Sequence, residues 1–110
     1  MARDLRFIIV PKVAHPWFEE VNQGARTQAN ILGCELGIAV VIDYLPPAVA
    51  GAVEQHAILE RAISSRPDGI AVDPVDAVGH MQAISRIRDQ GIPVVLFDSP
   101  SPDPGITSIG

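Results

Sequence analysis

The chain is poor in the residues that mark several classes of protein. Of its 110 residues one is cysteine and 5% are aromatic, and 8 basic residues are outnumbered by 13 acidic ones. Nucleic acids and anionic membranes attract basic surfaces, so we expect neither as a partner. The single cysteine, Cys34, can form neither an intrachain disulfide nor a cysteine metal cluster, and we expect a buried or half-buried thiol.

Long apolar runs and nucleotide-binding loops are also missing. The first apolar run, residues 7–10, ends at Pro11 and is too short for a signal peptide, and no run approaches the roughly 18 residues of a membrane span. The glycine spacings of phosphate loops and the serine elbow of hydrolases do not occur. We therefore expect no cofactor, no metal ion and no enzymatic activity, and we expect His56 and His80 to be surface residues.

The residues that are abundant are aliphatic, and they form short runs typical of buried strands. Hydrophobic residues make up 47% of the chain, which has room for about one domain. Runs rich in Ile and Val predict four strands buried on both faces and a short fifth: residues 7–10, 37–42, 69–72, 93–97 and 106–109.

Apolar residues at spacings of three and four predict a helix in each gap between the first four strands. The first begins near Pro16 and ends at Gly33 as a left-handed cap, the second spans residues 48–65, and the third ends at Gly91. Their apolar stripes are Phe18, Val21, Ala25, Ala29 and Leu32; Val49, Val53, Leu59, Ala62 and Ile63; and Val78, Met81, Ile84 and Ile87.

This alternation predicts an α/β fold, a three-layer doubly wound parallel sheet of the flavodoxin-like order 2-1-3-4-5, because right-handed crossovers place helices on both faces of the sheet. In such folds ligands bind beyond the carboxyl ends of the strands. The residues that follow each strand are therefore the candidates for a site.

The loop after the first strand is the most unusual stretch. It contains a cation, Lys12, an imidazole, His15, and the adjacent aromatics Trp17 and Phe18. An exposed Trp-Phe pair suits stacking on the apolar face of a sugar ring. The alternative is a hydrophobic staple that anchors the first helix behind Pro16.

Two carboxylates directly follow apolar runs. Asp73 ends the third strand and Asp98 the fourth, and both are expected at one crevice, where a carboxylate can accept hydrogen bonds from neighbouring hydroxyls of a polyol. Asp98 is the stronger candidate. For Asp73 a helix cap is an equal alternative, and Asp76 is the rival for that cap.

Three segments, PKVAHPWFEEVNQGA, SSRPDGIAVDPVDA and GIPVVLFDSPSP, occur in an order that resembles the periplasmic sugar-binding proteins of ABC importers, a superfamily that includes ribose-binding proteins. The PK after the first strand and the FDS after the fourth resemble the autoinducer-2-binding subgroup. The resemblance implies that Trp17 and Phe18 stack on a sugar, and that Lys12, His15, Asp73 and Asp98 hydrogen-bond to it. The family commonly has Asn where His15 stands and Arg where Ser99 stands.

The resemblance also implies two lobes with the ligand between them. Residues 1–110 then correspond to the first segment of the amino-terminal lobe, without the second lobe, and we expect the exposed fifth strand to make such a fragment self-associate. The full-length parent is expected to be periplasmic or otherwise extracytoplasmic and to deliver a small sugar or polyol to an ABC permease.

Two other functions stay open at this point. One is the ligand-sensing domain of a LacI-type transcription regulator, which has the same fold and would differ by an upstream helix-turn-helix. The other is a small stand-alone flavodoxin-like enzyme or interaction module, for which the sequence offers no complete active site.

Overall fold

Strands and helices alternate along the chain, as the hydrophobic pattern predicts. The structure, a computed structural model, describes residues 3–49, 51–76, 79, 81–98 and 106–109. Its elements are β1 (Leu5–Val10), α1 (Pro16–Leu36), β2 (Val40–Tyr44), α2 (Ala52–Ser64), β3 (Gly69–Val72), α3 (Met81–Asp89), β4 (Val94–Phe97) and β5 (Ser108–Ile109).

The strands form one parallel sheet in the order β2-β1-β3-β4-β5. The expected α/β fold with strand order 2-1-3-4-5 is confirmed. In the register of the sheet Val10 lies beside Val72 and Val72 beside Leu96. The residues that follow β1, β3 and β4 therefore leave the sheet at nearly the same level, which brings their loops together.

The core lies between the sheet and the pair α2 and α3. Alternate strand residues, among them Ile8, Val72 and Leu96, pack there against Leu59 of α2 and Ile84 of α3. Helix α1 contributes nothing to this cluster and packs along β2 instead, which places it on the opposite face. That face keeps an open apolar hollow of about 290 Å3, whose lining includes Phe7, Ile9, Ile42, Ala71 and Val95.

The first helix runs past the predicted end. Gly33 is helical, and the left-handed cap is Gly37, with φ 69° and an amide that donates to the carbonyl oxygen of Gly33. The prediction of Gly33 as the cap is wrong, because a glycine is required at this position for close packing and not for a left-handed turn. A Cβ at Gly33 would stand 2.8 Å from the carbonyl oxygen of Ile38, so the return of the chain into β2 requires a residue without a side chain.

The second helix begins later than predicted, and its buried stripe has a different phase. Val49 and Val53 are largely exposed, whereas Gln55 is fully buried in line with Ile58 and Leu59. The assignment of the two valines to the core is wrong, because the helix starts only at Ala52: Val49 precedes it, and Val53 lies exposed in its first turn. The buried glutamine has a structural purpose described below.

Several smaller expectations also need correction. Cys34 is exposed, in a shallow hollow between α1 and the start of β2. Strand β2 begins at Val40 rather than residue 37 and forms one edge of the described sheet, so it is only partly buried. His56 is exposed as expected, whereas His80 and Val78 lie outside the described residues.

Ion pairs join Arg6 of β1 to Asp43 of β2, and Arg3 to Asp68, which precedes β3. The guanidinium of Arg6 lies 3.0 Å from the Asp43 carboxylate, and the Arg6 amide donates to Asp68, which also pairs with Arg3 at 2.6 Å. These contacts lower the pKa of Asp68, chiefly through the hydrogen bond from the Arg6 amide. No helix in the described part of the chain is both long and apolar enough to span a membrane.

Candidate functional site

The loops after β1 and β3 meet in an ion pair at the carboxyl end of the sheet. The ammonium of Lys12 lies 3.6 Å from Oδ1 of Asp73. The two side chains differ sharply in exposure, since Lys12 is 36% exposed and Asp73 is 0% exposed. The pair therefore presents its positive end to solvent and keeps its carboxylate inside.

Gln55 of α2 fixes the main chain around this pair. Its Nε2 donates to the carbonyl oxygens of Pro11, at 3.1 Å, and Asp73, at 2.8 Å. Its Oε1 accepts from the amide of Val75 at 2.8 Å. One buried amide thus satisfies three main-chain groups that β1 and β3 leave unpaired as they end, which explains why a polar residue stands in an apolar stripe.

His15 caps α1. Its Nδ1 accepts from the amide of Trp17 at 3.1 Å, and Pro16 occupies the first helical position as expected. The loop before it is fixed to the end of β2 because the Ala14 amide donates to the Pro47 carbonyl oxygen at 2.9 Å. The His15 ring is thereby held at the surface, with its Nε2 away from the cap.

The two adjacent aromatics have separate environments. Trp17 is 50% exposed, whereas Phe18 is 8% exposed, so the expected exposed pair is wrong for Phe18. The Phe18 ring packs edge-on against Trp17 at 4.9 Å between centroids and against Phe97 at 6.3 Å. Phe18 therefore anchors the start of the helix, as in the staple alternative, and Trp17 projects from that anchor towards solvent.

Asp98 lies at the end of β4 in an unusual backbone conformation. Its φ is 69°, in the left-handed region that Asp and Asn tolerate better than most residues. Its amide donates to the carbonyl oxygen of Ile109 at 2.8 Å, and the residue is exposed. The chain therefore turns sharply after Phe97 and presents Asp98 at the edge of the sheet; Ser99 lies outside the described residues.

Asp76 and Tyr44 complete this edge. Oδ1 of Asp76 accepts from the amide of Gly79 at 2.9 Å, ahead of Met81, the first residue of α3. Asp73 lies further ahead of α3 and pairs with Lys12. The hydroxyl of Tyr44, at the end of β2, is buried without a hydrogen-bond partner among the described residues. Burial, with a smaller contribution from the charge of Glu19, raises the pKa of Tyr44 above 10.0.

The expected site residues thus form two groups on one edge. Lys12 and Asp73 are paired between β1 and β3, and Phe18 joins His15 and Trp17 to the end of β4, which Asp98 follows. In the part of the chain that the structure describes, no three His, Cys, Asp or Glu side chains are grouped as metal ligands. An exposed aromatic face, a cation and a carboxylate can bind a polar molecule that has one apolar face.

Sequence reasoning missed two residues of this edge. Phe97 was assigned only to a strand, and its contact with Phe18 crosses from β4 to α1, which no local pattern reveals. Gln55 carried a usable signal, because it stands three residues before Ile58 and four before Leu59. A glutamine in phase with a buried stripe indicates a buried amide that must have partners.

Comparison with known proteins identifies relatives of this fold. A family model described as a periplasmic binding protein domain matches residues 7–110. No curated protein matches the chain.

Three solved structures share the fold over nearly the whole chain. An ABC transporter solute-binding protein from Burkholderia graminis, in complex with D-arabinose, is 32% identical with a TM-score of 0.82 and covers 96% of this chain and 35% of its own. LsrB from Clostridium saccharobutylicum, in complex with AI-2, is 25% identical with a TM-score of 0.70 over 94% of this chain and 30% of its own. A sugar-binding protein of a sugar ABC transporter from Bacillus halodurans is 29% identical with a TM-score of 0.70, over 90% and 32%. The chain spans about a third of the length of each.

Proposed function

Since the chain belongs to the periplasmic binding protein domain family, we propose that it is part of a non-enzymatic solute receptor of an ABC transport system that binds a small neutral sugar or polyol. The observation that carries the proposal is the carboxyl edge of the sheet, where Lys12 and the exposed Trp17 follow β1 and the exposed carboxylate of Asp98 follows β4. The sugar complexes of related proteins, D-arabinose above all, support the ligand class.

Each of the expected site residues has a role in this receptor. Trp17 stacks on the apolar face of the sugar, while Phe18 holds it in place from behind. Lys12, His15 and Asp98 hydrogen-bond to hydroxyl groups, and Asp73 contributes to the same site beneath Lys12. Charged partners make such bonds stronger than neutral ones.

The proposal extends to the organisation of the whole receptor. Residues 1–110 form the first segment of the amino-terminal lobe of a two-lobed protein, in line with a match to 35% of the D-arabinose-binding relative. The full-length receptor is extracytoplasmic and delivers its ligand to an ABC permease. As an isolated chain it self-associates; light scattering coupled to size exclusion tests this, and a compact monomer of 11.7 kDa would contradict it.

The deciding experiment is a calorimetric titration of the full-length protein carrying this sequence with D-arabinose, followed by related pentoses, hexoses, polyols and AI-2. Saturable binding is the expected result. Trp17→Ala and Asp98→Ala weaken it at least tenfold, since each removes a contact of roughly 1.4 kcal/mol or more.

Two matched controls lie on helices away from this edge of the sheet. Leu36→Ala removes an exposed apolar side chain from the other end of α1, and Asp89→Ala removes an exposed carboxylate from the end of α3. Neither changes the affinity. Absence of binding across the whole panel, or equal losses in controls and site variants, would overturn the proposed function.

A further inference from the structure

We propose that Asp73 never touches the ligand and acts as a positioning residue, which holds the Lys12 ammonium towards the ligand from beneath. This inference rests on the proposed function. Within this part of the site Gln55 fixes the two loops, Asp73 fixes the ammonium, and of these three residues only Lys12 contacts the ligand.

Exposure separates the two partners of the ion pair. The Asp73 side chain is 0% exposed, so a ligand that arrives from solvent cannot reach it without a rearrangement of the loop. Lys12 keeps 36% of its side chain exposed, with its ammonium 3.6 Å from the Asp73 carboxylate. A lysine side chain is long and flexible, and its rotamer entropy opposes any fixed position. A buried carboxylate behind it restricts the ammonium to one part of the edge.

The carboxylate can do this only if its own main chain is fixed. Gln55 meets that need, because one amide group donates to the carbonyl oxygens of both Pro11 and Asp73. Pro11 directly precedes Lys12, and Asp73 carries the carboxylate that faces the Lys12 ammonium. The Val75 amide, bonded to Oε1 of the same side chain, holds the far end of the β3 loop. The distance between the two loops is therefore set by a single buried side chain.

A double-mutant cycle on D-arabinose affinity in the full-length protein tests the mechanism. Asp73→Asn, which keeps the shape of the side chain and removes its charge, lowers the affinity roughly tenfold when Lys12 is present. In the Lys12→Met background the same substitution has no further effect, because there is no ammonium left to position. Equal losses in both backgrounds would show a direct contact or a general structural role and would overturn the inference.

A second measurement needs no ligand. Lys12 is the only lysine among the 110 residues, so 15N-lysine labelling of this chain gives one side-chain ammonium signal, and its proton exchange with water is slow only while the ammonium is held. Asp73→Asn and Gln55→Leu both accelerate the exchange severalfold. Unchanged exchange in Asp73→Asn would overturn the inference whatever the ligand proves to be.

Asp68→Asn is the matched control for both measurements. It also removes a carboxylate from an ion pair, with Arg3, but at the amino end of the sheet. It leaves the Lys12 signal and the D-arabinose affinity unchanged. If D-arabinose and the other sugars fail to bind while the Lys12 signal still depends on Asp73, the proposed function fails and the positioning of Lys12 stands.

Discussion

The side-chain amide of Gln55 donates to the main-chain oxygen of Asp73 at 2.8 Å, and neither side chain is exposed to solvent. A helix on one side of the sheet is thereby joined to the end of a central strand. Because the same amide reaches Pro11, the two central strands β1 and β3 end in a common hydrogen-bonded unit. The site is built on this unit.

Gln55→Leu is expected to destabilise the chain. It leaves two carbonyl oxygens and the Val75 amide buried without their partner, and each such group costs about 1 kcal/mol or more. We expect a loss of about 3 kcal/mol in the free energy of unfolding, measured by urea titration. Gln28→Leu, an exposed glutamine on α1, is the control and changes stability by less than about 0.5 kcal/mol. A Gln55→Leu variant as stable as the control would contradict the assigned bonds.

The two aromatic residues at the start of α1 differ in their contribution to stability, because Phe18 is buried and Trp17 lies at the surface. Phe18 is nearly buried between Trp17 and Phe97, so Phe18→Ala costs about 3 kcal/mol of unfolding free energy. Trp17→Ala costs about 1 kcal/mol, because the residue is already 50% exposed.

Chemical denaturation of both variants measures this difference, and Phe18→Leu serves where the alanine variant does not fold. That substitution keeps most of the volume and costs about 1 kcal/mol. A larger loss from Trp17→Ala than from Phe18→Ala would show that the exposed ring is the structural one.

Glycines of α1 have opposite requirements. A Cβ at Gly24 meets no atom within 4 Å, whereas one at Gly33 stands 2.8 Å from the Ile38 carbonyl oxygen. Gly24→Ala therefore stabilises the chain by about 0.5 kcal/mol through helix propensity, and Gly33→Ala destabilises it by about 2 kcal/mol through overpacking. Thermal unfolding distinguishes the two, since the melting temperature rises in one variant and falls in the other. A fall in both would indicate that α1 has no room at Gly24.

The strands were predictable because each is a short aliphatic run bounded by turn residues, and β3 spans residues 69–72 as predicted. Their alternation with helices is what predicted a parallel sheet. The loops after the strands were predictable for the same reason, so Lys12, Trp17 and Asp98 were identified as a set. What failed depended on contacts between distant segments. Gly33 looks like a cap until the return of Ile38 is known, and Phe18 looks exposed until Phe97 is placed above it.

Burial of Asp73 was unpredictable on the same grounds. A carboxylate after a strand is normally at the surface, whereas Asp73 is buried, with the Lys12 ammonium 3.6 Å from its Oδ1 and its main-chain oxygen bonded to Gln55. The hydrophobic pattern and the residue spacing of a segment indicate only the local structure that this segment favours. They contain no information about a partner that lies 61 residues away in the chain, as Lys12 does from Asp73.

The single tyrosine provides a pH-dependent test of the edge. Burial, and to a smaller extent the charge of Glu19, raises the pKa of Tyr44 above the ordinary value of 10.0. Because the folded state disfavours the tyrosinate, the stabilising contribution is complete below the unfolded pKa near 10 and is lost as the pH rises through the higher folded pKa. The chain is therefore expected to lose stability in alkaline solution above about pH 10.

Absorbance of the tyrosinate gives the titration directly, since Tyr44 is the only tyrosine in the chain. Glu19→Gln removes the smaller cause, so the midpoint shifts downward but stays above 10.0, where burial alone keeps it. Glu20→Gln, the neighbouring exposed carboxylate, leaves the midpoint in place. If both variants titrate like the parent, then Glu19 does not face the hydroxyl of Tyr44, and the first turn of α1 packs differently against the end of β2. That result would also move His15 and Trp17, which the same turn carries, and with them the exposed half of the proposed sugar site.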